Sequence, residues 1–202
     1  EAATTLTLRL AGAADRAVRG ADADGTETAF RRIATAVGKY WVTKRGPAFT
    51  AEALECLGGN GYVEDSGMPR HYREAPLVSI WEGSGNVAAL DTLRAMGKEP
   101  HAIEAFFAEL EVAAGVDVHY DDALALLRKQ FSDLEDLQFR ARRIVEQMAM
   151  LLQGSLLLRH GDPAVAEAFV RSRLARDWGV AYGTLPAGVD TAAILERARV
   201  EA

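Results

Sequence analysis

Apolar side chains recur at steps of three and four residues along nearly the whole chain, the spacing that places them on one face of an α-helix. One such set predicts a helix near the start: Leu6, Leu8, Leu10, Ala13, Ala14 and Val18. A second set predicts a helix over 27–57, with Thr26 as its N-cap and a kink rather than an end at the Gly46-Pro47 pair. A third set predicts a helix over 85–96 that ends at Gly97.

The same spacing continues through the second half of the chain. It predicts a short helix ended near Gly115, which carries Ile103, Phe106, Phe107 and Leu110. Asp121 or Asp122 is the expected cap of the helix that follows. A long amphipathic helix ending at Gly161 is predicted by the next apolar set: Leu134, Leu137, Ile144, Val145, Met148, Leu151, Leu152, Leu156 and Leu157.

The Asp162-Pro163 pair predicts another helix start, because a capping residue stands before proline at the first helical position. That helix is expected to end near Gly183, and Asp190 is expected to cap a last short helix through Arg199. No segment shows the period-two alternation of a half-buried strand. The predicted fold is therefore an all-α helical bundle.

Two helical units are expected, residues 1–97 and 98–202, divided where Gly97 is predicted to end a helix. Apolar residues make up 49% of the chain and charged residues 26%, as in ordinary globular domains. No apolar run is long enough to span a membrane. The single cysteine, Cys56, excludes an internal disulfide and fits a cytoplasmic location. Because the first residues already follow a helical pattern, we expect a domain of a longer protein.

A glycine-dense turn, Gly58-Gly59-Asn60-Gly61-Tyr62, follows the long second helix. Glycine tolerates the left-handed conformation that ends helices, so this turn is first of all typical of a helix C-terminus. Its exposed amides are alternatively suited to approach a phosphate group. The turn does not follow a strand, and a dinucleotide-binding fold of the Rossmann kind is not indicated.

The segment Trp81-Glu82-Gly83-Ser84-Gly85-Asn86 places a carboxylate between a large aromatic side chain and two glycines, just before a helix. Ser84 or Asn86 would serve as an ordinary helix cap. However, a cap needs only one polar residue, and helix N-termini also offer free amides to anionic or carbonyl oxygens. With Trp81 excluding water, Glu82 is a candidate general base.

Charged residues elsewhere favour a solvated surface. The net charge of -6 argues against a dominant nucleic-acid-binding surface. From Lys98 onward there are 12 Lys and Arg against 17 Asp and Glu, so the arginine groups 140/142/143 and 171/173/176 are first of all solvent-facing. The run 69–74 is expected to form a short surface helix whose arginines pair with nearby acids. The four histidines show no metal-ligand spacing, and no metal site is predicted.

Three motifs follow one another in order: Leu57-Gly58-Gly59-Asn60-Gly61-Tyr62, Tyr72-Arg73-Glu74-Ala75 and Ile80-Trp81-Glu82-Gly83-Ser84. Over residues 1–97 they resemble the C-terminal helical domain of acyl-CoA dehydrogenases. The sequence at 81–86 and the additional helical region 98–202 resemble the AidB-like branch of that family, which is associated with the adaptive response to DNA alkylation.

The resemblance implies a four-helix bundle that covers one side of an FAD cofactor, in a homotetramer built as a dimer of dimers. It also implies an oxidoreductase acting on acyl-CoA, in which Glu82 removes the α-proton of the substrate while the β-hydride passes to the flavin. The backbone amide of Glu82 is implied to polarise the thioester carbonyl.

Further site residues follow from the same resemblance. Ser84 and Asn86 are implied to hydrogen-bond the flavin nucleotide, and Gly58 and Gly59 to reach the pyrophosphate of an FAD in a neighbouring subunit. The implied cofactor-contacting segment is Ile80, Trp81, Glu82, Gly83, Ser84, Gly85, Asn86, Val87, Ala88, Ala89 and Leu90.

The chain departs from the family pattern at three positions. Glu55 replaces a glutamine that touches the neighbour's FAD, where a carboxylate is unfavourable unless an arginine lies between. Trp81 replaces a tyrosine and Gly85 a serine, and we expect the indole to narrow the acyl pocket and weaken dehydrogenase activity. The family's N-terminal helical domain and middle β-domain are absent from these residues, so the isolated chain is expected to bind FAD weakly.

Two other functions remain open at this point. One is a DNA-binding protein that keeps FAD as a structural cofactor, with duplex DNA bound by Arg94, Arg140, Arg142 and Arg143. The other is an oligomerisation module, since Leu- and Phe-rich helices also serve that role.

Overall fold

The computed structural model describes residues 1–133 and 135–200, so Leu134 of the predicted long helix lies outside the described residues. No strand occurs in these two stretches, and the all-α prediction is confirmed. The α-helices are α1 (Ala2–Val18), α2 (Thr26–Cys56), α3 (Gly59–Tyr62), α4 (Met68–Glu74), α5 (Gly85–Lys98), α6 (Pro100–Glu111), α7 (Val118–Ser132), α8 (Leu137–His160), α9 (Pro163–Phe169) and α10 (Thr191–Arg197). Short 3₁₀ helices span Glu64–Ser66 and Leu77–Ser79, and a π-helical turn, Val170–Leu174, continues α9.

The central element is α2, which packs against α1, α5, α6 and α8. With 31 residues it is about 46 Å long. Phe30, Ile33 and Val37 on its inner face are almost completely buried, and the ring of Phe30 stacks on Phe106 of α6 at 6.1 Å between centroids. The helix continues through Pro47, as predicted for the Gly46-Pro47 pair.

Helices from both halves of the chain contribute to one cluster of buried side chains. The long helix α8 packs against α1, α2 and α5 as well as against α7. Gly97 does not end α5, which runs on to Lys98, and Glu99 alone separates it from α6. Pro100 begins α6 because proline at the first helical position lacks only an N–H that would have no partner there. The division into units 1–97 and 98–202 stays a prediction.

Two of the predicted caps are wrong. Thr26 lies inside α2, whose first amides are bound instead by the Asp22 carboxylate, which accepts from the N–H groups of Glu27 and Thr28 at 2.9 Å. Neither Asp121 nor Asp122 caps α7. That role belongs to Asp117, which is two residues before His119 and accepts from its amide at 2.8 Å.

Asp162 and Asp190 cap α9 and α10 as predicted, each accepting a backbone N–H at 2.9 Å. The helix after Asp162 ends at Leu174 rather than near Gly183, because the π-turn widens its last turn and Arg176 then takes a left-handed conformation with φ 62°. The last helix ends at Arg197, two residues before the predicted Arg199.

Ion pairs connect the helices of the first half to those of the second. The Arg9 guanidinium on α1 binds Glu27 of α2 and Glu109 of α6, each at 2.8 Å. Arg159 of α8 binds the other oxygen of the Glu109 carboxylate at 2.9 Å. Burial would raise the pKa of Glu109, but the hydrogen bonds from Arg9 and Arg159 outweigh it and hold that pKa below its usual value.

None of the described helices is both long and apolar enough to cross a membrane.

Candidate functional site

The segment that carries Glu82 is a turn between the 3₁₀ helix Leu77–Ser79 and α5. Glu82 has φ 52° and Gly83 has φ 103°, so two consecutive residues have left-handed backbones. Glycine adopts such angles freely, but for a glutamate they are strained, and the surrounding structure must hold the turn in place.

Lys39 of α2 supplies that restraint. Its ammonium group donates to the carbonyl oxygens of Trp81 and Gly83, both at 2.5 Å, and so holds the residues on either side of Glu82. We call Lys39, Trp81, Glu82 and Gly83 the lysine-held turn. Sequence reasoning missed Lys39, because it precedes the turn by 42 residues and looks like any solvent-facing lysine of an amphipathic helix.

The Glu82 carboxylate is exposed and makes no ion pair with any residue that the structure describes. Trp81 is 56% exposed and Ile80 62% exposed, so the indole does not shield Glu82 from water in this chain. The expected exclusion of water by Trp81 is not provided by these residues alone. The turn instead presents a carboxylate beside an uncovered apolar surface.

The N-terminus of α5 follows this turn directly. Ser84 occupies the N-cap position but makes no side-chain capping bond, and Asn86 makes none either, so the expected cap is not formed. The first helical hydrogen bond runs from the amide of Ala88 to the carbonyl of Ser84. The amides of Gly85, Asn86 and Val87 therefore have no intrahelical acceptor, and Asn86 and Val87 are exposed, where an oxygen-bearing ligand could reach them.

The predicted cofactor-contacting segment is divided between two faces of α5 and the preceding turn. Ile80, Trp81, Glu82, Ser84, Asn86, Val87 and Leu90 are exposed. Ala88 and Ala89 are buried in the helical core, away from any ligand on the outer face. Gly85 is also buried, and a β-carbon there would collide with the side chain of Lys44.

The glycine-dense turn lies at the end of α2 beside a groove of about 850 Å³. We call this the glycine groove, and Glu55, Gly58, Tyr62, Tyr72 and Arg73 are among the residues that line it. Gly58 needs to be glycine for its conformation, with φ 57°, whereas Gly59 has open space around it. Gly61 is required for packing, because a β-carbon would meet the carbonyl oxygen of Leu54. Of these three glycines, only Gly58 and Gly59 are predicted site residues. The sequence pattern alone did not show which glycine is needed for its conformation, which for packing and which for neither.

The same groove contains Glu55 and Arg73, so an arginine does lie near the carboxylate that departs from the family pattern. Arg73 binds Glu64 through two hydrogen bonds of 2.7 and 3.0 Å. Arg70 pairs with Glu74 on the same short helix. The predicted surface helix with paired arginines is confirmed in α4.

The glycine groove and the lysine-held turn are separate within one chain. Gly85 lies against Lys44, and from Lys44 to the end of α2 at Cys56 the helix extends about 18 Å. None of the groove's lining residues belongs to the lysine-held turn.

The four predicted DNA-binding arginines have different surroundings. Arg94 pairs with Asp91 at 3.3 Å. Arg140 donates to three backbone carbonyls between Gln130 and Glu135 and so holds the connection that precedes α8. Arg142 donates to the hydroxyl of Tyr40 at 3.3 Å, and Arg143 is exposed. In the described part of the chain no group of three or more His, Cys, Asp or Glu is arranged to hold a metal ion.

Comparison with known proteins identifies the family to which this chain belongs. Residues 3–97 match the family model "Acyl-CoA dehydrogenase, C-terminal domain", and this range runs from the second residue of α1 nearly to the end of α5 and contains the glycine groove and the lysine-held turn. The putative acyl-CoA dehydrogenase AidB of Escherichia coli is 38% identical over 181 residues, which cover 89% of this chain and 32% of that protein. The chain belongs to the acyl-CoA dehydrogenase family.

Two nematode comparisons agree with this membership. Acyl-CoA dehydrogenase family member 11 of Caenorhabditis elegans is 31% identical over 160 residues, covering 69% of this chain and 26% of that protein. The solved structure of C. elegans ACDH-11 in complex with C11-CoA superposes with a TM-score of 0.74 at 28% identity, over 84% of this chain and 33% of that one. The chain thus spans about a third or less of the length of these acyl-CoA dehydrogenase relatives.

Proposed function

We propose that the chain is the C-terminal part of an FAD-dependent oxidoreductase that dehydrogenates acyl-CoA thioesters between their α- and β-carbons. The observation that carries this proposal is the lysine-held turn, which presents an exposed carboxylate directly before the unpaired amides of α5. Family membership supplies the reaction class, and the nematode relative solved with C11-CoA supports an acyl-CoA ligand.

In this proposal Glu82 is the general base that takes the α-proton of the thioester. Glu82 is exposed, and its own N–H would donate to the thioester carbonyl as negative charge develops there. FAD, when bound, would accept the hydride from the β-carbon. The exposed Trp81 and Ile80 would be covered by the rest of the protein or by ligand, which would keep water from Glu82.

The residues present suit a flavin nucleotide. The amides of Gly85, Asn86 and Val87 lack acceptors, and an N-terminal helix end favours phosphate and carbonyl oxygens. The separation of Gly58 from Glu82 within one chain supports contact between the glycine groove and a cofactor held by a second copy, as in a dimer of dimers. Arg73 also lines that groove, with its guanidinium paired to Glu64.

The test is the substitution Glu82→Gln in the full-length protein, with turnover measured on acyl-CoA substrates of several chain lengths. Loss of a general base lowers the rate by about 10² to 10⁴, while the visible absorbance of bound FAD should remain. Glu104→Gln, an exposed change on α6, is the matched control and should retain activity. Full turnover of the Glu82→Gln protein would refute the assignment of the base.

Duplex DNA binding is a second proposal, supported by Arg143, which is exposed and has no hydrogen bond or ion pair within residues 1–133 and 135–200. Arg142 is adjacent and also exposed. Replacing both with alanine should weaken duplex binding by the full-length protein and reduce its dependence on salt, since each phosphate contact releases counterions. Arg140 should be left intact because it holds a backbone turn. Duplex affinity that does not vary with salt would contradict this proposal.

A further inference from the structure

A small cleft lies between α7, α8 and the π-turn, and it shares no lining residue with the lysine-held turn or the glycine groove. Its volume is about 130 Å³. Five apolar side chains line it, namely Ala123, Leu126, Met150, Leu151 and Leu174. Polar groups are added by Gln147 of α8, Arg173 of the π-turn and Arg176, two residues after that turn.

The polar groups of the cleft lack partners. Gln147 is only 7% exposed, and its side-chain Oε1 has no hydrogen-bond donor among residues 1–133 and 135–200. Rotation of the terminal amide by 180° exchanges its oxygen and nitrogen, so Gln147 can also present a donor to the cleft. Arg173 and Arg176 make no hydrogen bond and no ion pair in the parts of the chain that the structure describes. A buried amide without a partner and an uncompensated, half-buried guanidinium both lower stability unless a ligand or water satisfies them.

Positive charge is concentrated around this cleft. Arg45 of α2 lies close enough to Arg173 to lower its pKa, after the larger effect of burial in the same direction. The Arg173 guanidinium lies over the ring of Trp178 at 4.4 Å, which fixes its position but supplies no counter-charge.

Glu146 directly precedes Gln147 on α8. Burial raises the pKa of its carboxyl, although Arg45, Arg176, Arg142 and Arg143 act in the opposite direction, and none of them forms an ion pair with it. Asp122 lines the cleft from α7. Of the charged residues that line the cleft itself, two are arginines, Arg173 and Arg176, and one is an acid, Asp122, in a chain whose net charge is -6. This local excess of positive charge is the reverse of the overall balance.

The π-turn places a charged and an apolar side chain side by side in the cleft wall. A π-turn adds a residue to the helical turn, and such turns are often found at functional sites. Here it spans Val170–Leu174 and brings both Arg173 and Leu174 into the cleft wall, which combines a cation and an apolar surface. A ligand that matches this wall must have an anionic head and an apolar body.

We propose that this cleft binds a small amphipathic anion, a carboxylate or phosphate headgroup on a short alkyl chain. The planar guanidinium of Arg173 suits two-point binding of either headgroup, and Arg176 adds a second cation. The amide of Gln147 donates a further hydrogen bond, while Leu126, Met150 and Leu174 contact the alkyl chain. This site does not depend on FAD or on the dehydrogenase reaction.

The test is isothermal titration calorimetry of the full-length protein with hexanoate, hexyl phosphate and the neutral 1-hexanol. We expect saturable binding of at least one anion and none of hexanol. Arg173→Gln should weaken anion binding about tenfold or more, because a charge-assisted hydrogen bond contributes about 1.5–3 kcal/mol. Whichever of hexanoate and hexyl phosphate binds more tightly identifies the headgroup.

Two further variants keep the test decisive. Arg176→Gln changes an exposed residue, so the protein should fold normally and still lose affinity. Lys129→Gln removes one positive charge from an exposed position of α7 that does not line the cleft, and it should bind as the wild type does. The proposal is overturned if neither hexanoate nor hexyl phosphate binds, whether or not inorganic phosphate does, or if hexanol binds equally well. It is also overturned if Lys129→Gln weakens binding as much as Arg173→Gln.

Discussion

Glu82 is held in a strained backbone conformation by a residue from another helix. A left-handed glutamate costs of the order of 1–3 kcal/mol and persists only where the surroundings impose it. Lys39 imposes it by binding the carbonyls of Trp81 and Gly83 at once. This makes Lys39 a positioning residue, since it contacts the backbone on both sides of the proposed base rather than a substrate.

Replacing Lys39 with methionine should release the turn while leaving α2 intact. Without the ammonium donor, the amides from Trp81 to Gly85 should exchange with solvent faster in hydrogen–deuterium exchange mass spectrometry. In the full-length protein kcat should fall more than KM changes, because the base is present but no longer held. Lys39→Arg should restore part of the protection from exchange and part of kcat.

Lys44→Met is the matched control for this substitution. Lys44 lies on the same helix and packs against Gly85, but it makes no hydrogen bond to the turn. Its replacement should leave exchange at Trp81–Gly85 unchanged. If Lys39→Met also leaves that exchange unchanged, Lys39 does not hold the turn.

The close packing of α3 on α2 depends on one glycine among three. Gly58 provides a left-handed turn, Gly59 is unconstrained, and Gly61 allows the backbone of α3 to approach the carbonyl of Leu54. The same groove is proposed to face a cofactor of a second copy, so its shape depends on this helix–helix contact. Similar close packing occurs where Gly85 at the start of α5 lies against the side chain of Lys44.

Substitution of Gly61 by alanine should destabilise the chain, because the new β-carbon would meet backbone rather than a flexible side chain. Overpacking of this kind costs about 1–3 kcal/mol. Gly59→Ala has nothing within 4 Å of the added carbon and should be neutral or slightly stabilising. Urea unfolding of both variants measures the difference, and equal midpoints would show that α3 can shift away from α2 without cost.

Ionic contacts join the two halves of the chain into one packed body. Glu109 is 11% exposed at its side chain and binds arginines from α1 and α8 simultaneously. Burying such a carboxylate alone would destabilise the fold, and the hydrogen bonds from the two arginines offset that cost. The contact supports a structure in which the second half of the chain stabilises the family domain as well as extending it.

Glu109→Gln should lower the free energy of unfolding by about 2 kcal/mol near neutral pH. The folded-state pKa of Glu109 is depressed below its ordinary 4.5, so its contribution is present above that pH and is lost as the pH falls through the folded-state pKa. The wild type and the variant should therefore converge in stability below about pH 4.5. Glu104→Gln, exposed on the same helix, should differ little from wild type at any pH, and a constant gap for Glu109→Gln would contradict this account.

Most helix starts and ends could be predicted from the sequence. The starts of α9 and α10 follow from Asp162 and Asp190, because an aspartate cap bonds to amides only two or three residues away. The uninterrupted helix through Pro47 follows from apolar spacing on both sides of it. The caps of α2 and α7 were misplaced because several aspartates stand close together, and backbone geometry decides among them.

The sequence by itself determined the all-α class, most of the helices and the family, since helical spacing, capping and ordered motifs are properties of neighbouring residues. Only the tertiary structure decided that Lys39 holds the turn around Glu82, that Gly61 rather than Gly59 must lack a side chain, and that Gln147 and Arg173 share a cleft. These contacts join residues far apart in the chain. Their distances depend on how helices pack against one another, which no local pattern encodes.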